Sequence, residues 1–203
     1  MIGPHVIEEA RAHAVAFFAD DATGHDAWHT MRVHNLAVRL AREEGAREDV
    51  VALAALLHDV DDAKLSPETT EGLGNAAAFL RRHGVADDEA RAVLAAVREV
   101  SFSKNGGAAP SSLESACVRD ADRLDAIGAI GVARAFAYGG ARGRALHDPT
   151  STDATTTIQH FYDKLLLLEG MMATDAGRRA AHRRDAYLRG FLEEFLAEWD
   201  GER

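Results

Sequence analysis

Only one of the 203 residues is a cysteine, Cys117, so no internal disulfide can form. Its place between Ala116 and Val118 reads as a small buried apolar position, and a reducing, cytoplasmic location is expected. Cations are also scarce: 23 Lys and Arg face 33 Asp and Glu, a formal net charge of -10. That balance argues against a nucleic-acid polymer or an anionic membrane as partner. Any phosphorylated ligand must approach a repelling surface, which local cations or a metal ion would have to offset. The first twenty residues carry Glu8, Glu9 and Arg11 within their apolar pattern, so they are neither a secretory signal nor a membrane span, and the chain is expected to be intact from Met1. Sustained two-residue alternation is missing too. Apolar residues recur instead at three and four, so the expected fold is all-α, a single domain over residues 1–203 without internal repeats.

What is present reads as a succession of helices. Pro4 at a first helical position opens one to about Ala19, and Asp26 can cap a second that Gly45 stops. The stretch from Glu48 to Val60 contains the uniformly apolar run Val50 to Leu57, as expected of a helix surrounded by others. Ser66-Pro67 is expected to start a fourth helix ending near His83-Gly84, and Asp87 a fifth running to Val100. A loop from Phe102 to Pro110 follows. Ser111 and Glu114 have capping-box spacing before a long segment, Leu113 to Tyr138, interrupted by Gly128 and Gly131. Gly139 to Thr155 reads as the longest loop, of the kind that acts as a lid, and two helices, about 156–172 and 174–199, complete the chain.

His58-Asp59, at the end of the apolar run, is the most informative pair, because His29, Asp122 and Asp125 offer matching ligand types elsewhere. Carbonyl-rich calcium loops and four-cysteine zinc sites are both absent. A mixed His and Asp set suits one divalent metal ion, with manganese preferred and Mg, Fe, Ni, Co or Zn also compatible. Such an ion polarises phosphoryl oxygens and lowers the pKa of water. Adjacent residues on a helix point about 100° apart, so His58 and Asp59 can share an ion only over the sector between them.

His29 followed by Arg32-Val33, then His58-Asp59 after an apolar helix, then Asp122 within Asp120-Ala121-Asp122-Arg123-Leu124-Asp125, resembles the HD-domain superfamily of metal-dependent phosphohydrolases. More closely, His25-Asp26-x-x-His29-x-x-Arg32-Val33, Leu57-His58-Asp59-Val60-Asp61-Asp62, Phe136-Ala137-Tyr138-Gly139-Gly140 and Phe161-Tyr162-Asp163-Lys164-Leu165-Leu166 are similar to a bacterial subgroup that contains nucleotide pyrophosphohydrolases. The resemblance covers Asp26 through the C-terminal helix. It implies an HD-type helical bundle, with a metal-site core over about 26–126 that the helices of about 156–199 complete. It also implies His29, His58, Asp59 and Asp122 as metal ligands.

Other roles follow from position and from that resemblance together. Asp62, three residues after Asp59, either orients and deprotonates the attacking water, as an acidic residue does there in related HD phosphohydrolases, or begins an exposed turn. Arg123 matches a phosphate-contacting position, and Lys64, Arg32 and Lys164 are further cations near the motifs, each with an ordinary structural alternative. Asp125 is expected to accept a ligand imidazole N–H. His25 is either a second such partner or part of a capping turn. Tyr138 with Arg142 and Arg144 could close over a nucleotide, whereas Trp28 and Phe161 read as core.

The resulting expectation is a hydrolase for small nucleotides, most simply a nucleoside triphosphate pyrophosphohydrolase. A nucleoside monophosphatase or phosphodiesterase, or a nucleotide-sensing helical module without turnover, are its rivals. Tyr187 to Trp199 is apolar enough either to close the core or to pair subunits, so a homo-oligomer stays open.

Overall fold

Pro4, with φ preset for a helix and no amide hydrogen to strand, stands at the start of α1 (Pro4–Phe17). The structure, a computed structural model, describes residues 1–19, 26–100, 108–150 and 155–203. His25 and most of the expected loop from Phe102 to Pro110 lie outside the described residues, as does the 151–154 part of the expected lid. No strand occurs among the described residues, as the helical periodicity predicts, and none of their helices is long and apolar enough to cross a membrane. They divide into two compact units, Met1–Asp122 and Arg123–Arg203.

In the first unit, α2 (Ala27–Glu44) is bounded as its end residues dictate. The Asp26 carboxylate accepts from the His29 amide at 2.6 Å, and Gly45 closes the helix at φ 78°, a conformation only glycine adopts cheaply. The next helix, α3 (Glu48–Leu57), buries every residue from Val50 to Leu57 and packs chiefly against α2, α1 and α5 (Asp87–Val100). Fully burying each Val or Leu contributes about 1.5–3 kcal/mol, which is why so short a helix is stable. α3 ends at Leu57, three residues before the expected Val60, and His58 is its C-terminal cap.

The expected fourth helix is shorter than its sequence suggests. α4 runs only Gly74–Arg82, and Ser66-Pro67 lies in a string of turns. Polar side chains outcompete the helix there: Asp62 Oδ1 accepts from the Lys64 amide at 2.9 Å, and the buried Asp61 carboxylate reaches forward to the amides of Asn75 and Ala76, both at 2.9 Å. Asp61 thereby satisfies the first amides of α4 and places a negative charge at its positive end. Leu73, just before, adopts φ 52°.

α6 (Leu113–Asp125) is capped by Ser112, whose hydroxyl accepts from the Ser115 amide, and not by Ser111, which bonds Glu99 instead. Glu114 accepts from the Arg47 amide at the head of α3.

The second unit contains α7 (Gly128–Ala141), α8 (Thr157–Asp163), two single 3₁₀ turns (Leu165–Leu167 and Glu169–Met171) and α9 (Asp175–Trp199). Gly139 and Gly140 belong to α7, so the expected lid starts later than the sequence suggests. The helix expected over 156–172 breaks at Lys164. Phe136, Phe161, Phe191 and Phe195 meet at 5.8–6.0 Å between ring centres and form the aromatic core between α7, α8 and α9. Phe161 is fully buried, as expected, but Trp28 on α2 is 71% exposed and is not a core residue.

Candidate metal centre

Three helices of the first unit deliver the ligand-type side chains. α2 carries His29 in its first turn, α3 ends on His58 with Asp59 beside it, and α6 brings Asp122. The His29, His58 and Asp59 ligand atoms all lie within 4.8 Å of one another. His29 Nε2 is 3.4 Å from Asp59 Oδ2 and 3.4 Å from Asp122 Oδ1, while His58 Nε2 is 3.2 Å from Asp59 Oδ2. The two imidazoles meet edge to face at 5.4 Å. Both histidines are buried, whereas the Asp122 side chain is 34% exposed.

His58 shows what the cluster is built for. Its Nδ1 lies 2.8 Å from the Ala55 carbonyl, an acceptor only, so Nδ1 carries the hydrogen and Nε2 is left with a lone pair. In the neutral ring that buried Nε2 has no hydrogen-bond partner, because Asp59 Oδ2 at 3.2 Å cannot donate to it while ionised; only a protonated ring bonds Asp59 there. A divalent cation removes both problems at once, giving the lone pair an acceptor and neutralising the crowded carboxylates. The donor set of imidazole nitrogens and carboxylate oxygens fits such an ion.

Charge coupling within the cluster is strong. Burial pushes the His58 pKa down, but Asp59 and then Asp122 override it and hold it above the usual imidazole value. For Asp122, burial opposes the charged form, yet the hydrogen bond and charge of His29 and the proximity of His58 hold the carboxyl below the usual range.

The remaining expected site residues are placed as follows. Asp62 is half-buried just beyond the cluster: its amide donates to the Asp59 carbonyl at 3.0 Å and its Oδ1 takes the Lys64 amide. Arg32 is half-buried on α2 one turn after His29, and Lys64 is exposed in the turn after Asp62. In the second unit, Tyr138 is partly exposed, with the Arg142 and Arg144 guanidinium carbons each 5.3 Å from its ring centre, and Lys164 is exposed between α8 and the first 3₁₀ turn.

Two of the expected site residues are engaged within the second unit. Arg123 is buried at 7% exposure and donates through Nη1 to the Met171 carbonyl. Asp125 is 1% exposed and pairs with Arg134 at 2.8 Å. The His58 imidazole is oriented by the Ala55 carbonyl, which the sequence could not flag because every residue has one. Asp61 was missed as well: it anchors the segment after the His58-Asp59 pair by binding amides fourteen and fifteen residues away.

A helical fold with two histidines and two aspartates converging from three helices defines a metal-dependent phosphohydrolase of the HD class, and the comparisons agree. The chain belongs to the HD-domain family, whose profile matches residues 27–127. It is 36% identical over 196 residues to YpgQ of Bacillus subtilis, covering 96% of this chain and 94% of that protein. The crystal structure of YpgQ in complex with ADP superposes with a TM-score of 0.80 at 34% identity, over 95% of this chain and 96% of the other. A protein from Bacillus thuringiensis whose crystal structure is named that of an HD-superfamily hydrolase gives a TM-score of 0.82 at 38% identity, over 97% of each chain.

Proposed function

We propose that this protein hydrolyses a phosphoanhydride bond of a small nucleotide, releasing pyrophosphate from a nucleoside triphosphate. The observation that carries the metal-dependent part is the unpartnered, lone-pair-bearing Nε2 of His58 beside the Asp59 and Asp122 carboxylates. The nucleotide part rests on the likeness to YpgQ, whose crystal structure contains ADP.

A divalent ion held by His29, His58, Asp59 and Asp122 supplies Lewis acidity to a phosphoryl oxygen and to the attacking water. The chain's own groups do the rest. His29 and His58 contribute neutral nitrogen donors, and the Ala55 carbonyl keeps the His58 donor pointed inward. Asp62, its carboxylate fixed in orientation by the Lys64 amide, accepts the proton of the water. Arg32 and Lys64, cations of the same unit as the cluster, bind the phosphate chain and offset the net charge of -10 that would repel it.

The test is product analysis. Purified protein with manganese and each nucleoside triphosphate is expected to yield nucleoside monophosphate and pyrophosphate. Phosphate released only from monophosphates would replace this reading with a monophosphatase on the same centre. Ligand-dependent melting without any turnover would make the protein a nucleotide sensor.

A further inference from the structure

The opening turns of α9 reverse the charge balance of the chain. From Thr174 to Asp185 the sequence places Arg178, Arg179, His182, Arg183 and Arg184 against two acids, of which Asp185 is buried and paired with Arg189. Arg184 turns inward and donates to the Leu124 carbonyl. The other four are exposed, and their i, i+4 spacing sets 178 beside 182 and 179 beside 183 on one face. Together with Glu169 and Gly170 they line an open cavity of about 710 Å³.

Carbonyls as well as carboxylates hold the cations around this cavity. Arg178 donates to the carbonyls of Met172 and Ala173, both at 3.1 Å, as well as to Asp175 at 2.5 Å. Arg183 donates to the Arg179 carbonyl at 3.1 Å. A carbonyl satisfies a donor and leaves the positive charge intact, and each guanidinium has further donors in a rigid fork suited to phosphate oxygens. Glu169, the one acid in the lining, is bonded to His182 Nδ1 at 2.9 Å. No Phe, Tyr, Trp, Asn or Gln side chain lines the cavity, and its one ring, the His182 imidazole, is held by Glu169.

We propose that this cavity binds the phosphate chain of a small polyphosphate, recognised by charge and by the arginine forks of Arg178, Arg179 and Arg183, without regard to any attached nucleoside. It shares no residue with the His29, His58, Asp59 and Asp122 cluster, and does not depend on that cluster being catalytic.

The test is calorimetric titration of the full chain with inorganic tripolyphosphate, and separately with a nucleoside triphosphate, in excess EDTA. Without metal, the Asp59 and Asp122 carboxylates repel both ligands. The expected result is binding of both with similar affinity, weakening as sodium chloride is raised. Arg179→Glu/Arg183→Glu should weaken binding by roughly tenfold or more, because two charge-assisted contacts become repulsive. Arg179→Gln, which keeps the helix propensity and loses only charge, should give a smaller loss with an unchanged helical spectrum. Arg39→Glu, at an exposed arginine of α2, should leave the affinity unchanged. Absence of tripolyphosphate binding, an equal loss in Arg39→Glu, full affinity in both Arg179 variants, or a strong preference for the nucleoside triphosphate would each overturn the proposal.

Discussion

His58-Asp59 and Arg123-Asp125 both place charge-bearing side chains at the C-terminal end of a helix. In the structure they diverge. Asp125 pairs with Arg134 and Arg123 donates to the Met171 carbonyl, so each has a polar partner in its own unit. At the end of α3, a buried nitrogen lone pair faces carboxylates and makes no hydrogen bond. Burial alone therefore does not mark chemistry. A buried imidazole nitrogen facing two carboxylates does, because that donor set is what a bound cation completes.

The sharpest way to test this contrast is to remove one member from each place. His58→Ala should lower manganese-dependent turnover by about a thousandfold or more, roughly 4 kcal/mol of barrier, while the helical circular-dichroism spectrum persists. Melting of the unaltered chain should rise on adding manganese, and that rise should vanish in the variant. A variant that keeps the manganese-induced rise would break the assignment of His58.

Arg134→Met should do the opposite, leaving metal affinity intact and lowering stability by about 2–3 kcal/mol in urea titration. It strips the partner at 2.8 Å from a carboxylate that is 2% exposed, with the expected loss reduced because Arg134 itself is 29% exposed. Asp61→Ala lies between the two cases. Loss of the amide acceptor at the head of α4 should cost about 1–2 kcal/mol, and turnover should fall as well if the segment carrying Asp62 loosens.

A smaller effect concerns pH. Burial, with Arg11 adding to it against the opposing Asn35 hydrogen bond, holds the His34 pKa below its ordinary 6.5. The unfolded chain therefore takes up this proton first as pH falls below 6.5, and folding stability declines with falling pH until the folded-state pKa is passed. In that window His34→Gln should flatten the dependence by at most about 1.4 kcal/mol per pH unit, measured as the difference between the two urea titration series. Cys117 provides the mildest check: burial and then Asp120 push its thiol up to about 12, so it should resist iodoacetamide at pH 8 until the chain is unfolded.

Legibility in the sequence followed the range of the interaction involved. Helices α1 to α3 and α5 were readable because their signals are local: Pro4 at a helix start, Asp26 three residues before the amide it caps, Gly45 at a left-handed stop, and the apolar run Val50–Leu57. The grouping of His29, His58 and Asp59 was readable from motif order. The fourth helix was misjudged because Asp61 acts at a distance of fourteen residues, beyond any window of periodicity. Trp28 was misjudged because its face of α2 depends on what packs nearby, which neighbouring residues do not encode. The Ala55 carbonyl that orients His58 was not readable, because side-chain identity carries no information about carbonyls.

That last point bears on how the centre can change over evolutionary time. When a carboxylate steers an imidazole, one codon change releases it; when the peptide group of Ala55 does so, no replacement at position 55 that keeps the helix deletes the acceptor. The placement of the Nδ1 hydrogen of His58 is thus inherited from the path of the backbone. It can be retuned only by shifting the last turn of α3, which would disturb the buried row from Val50 to Leu57 behind it.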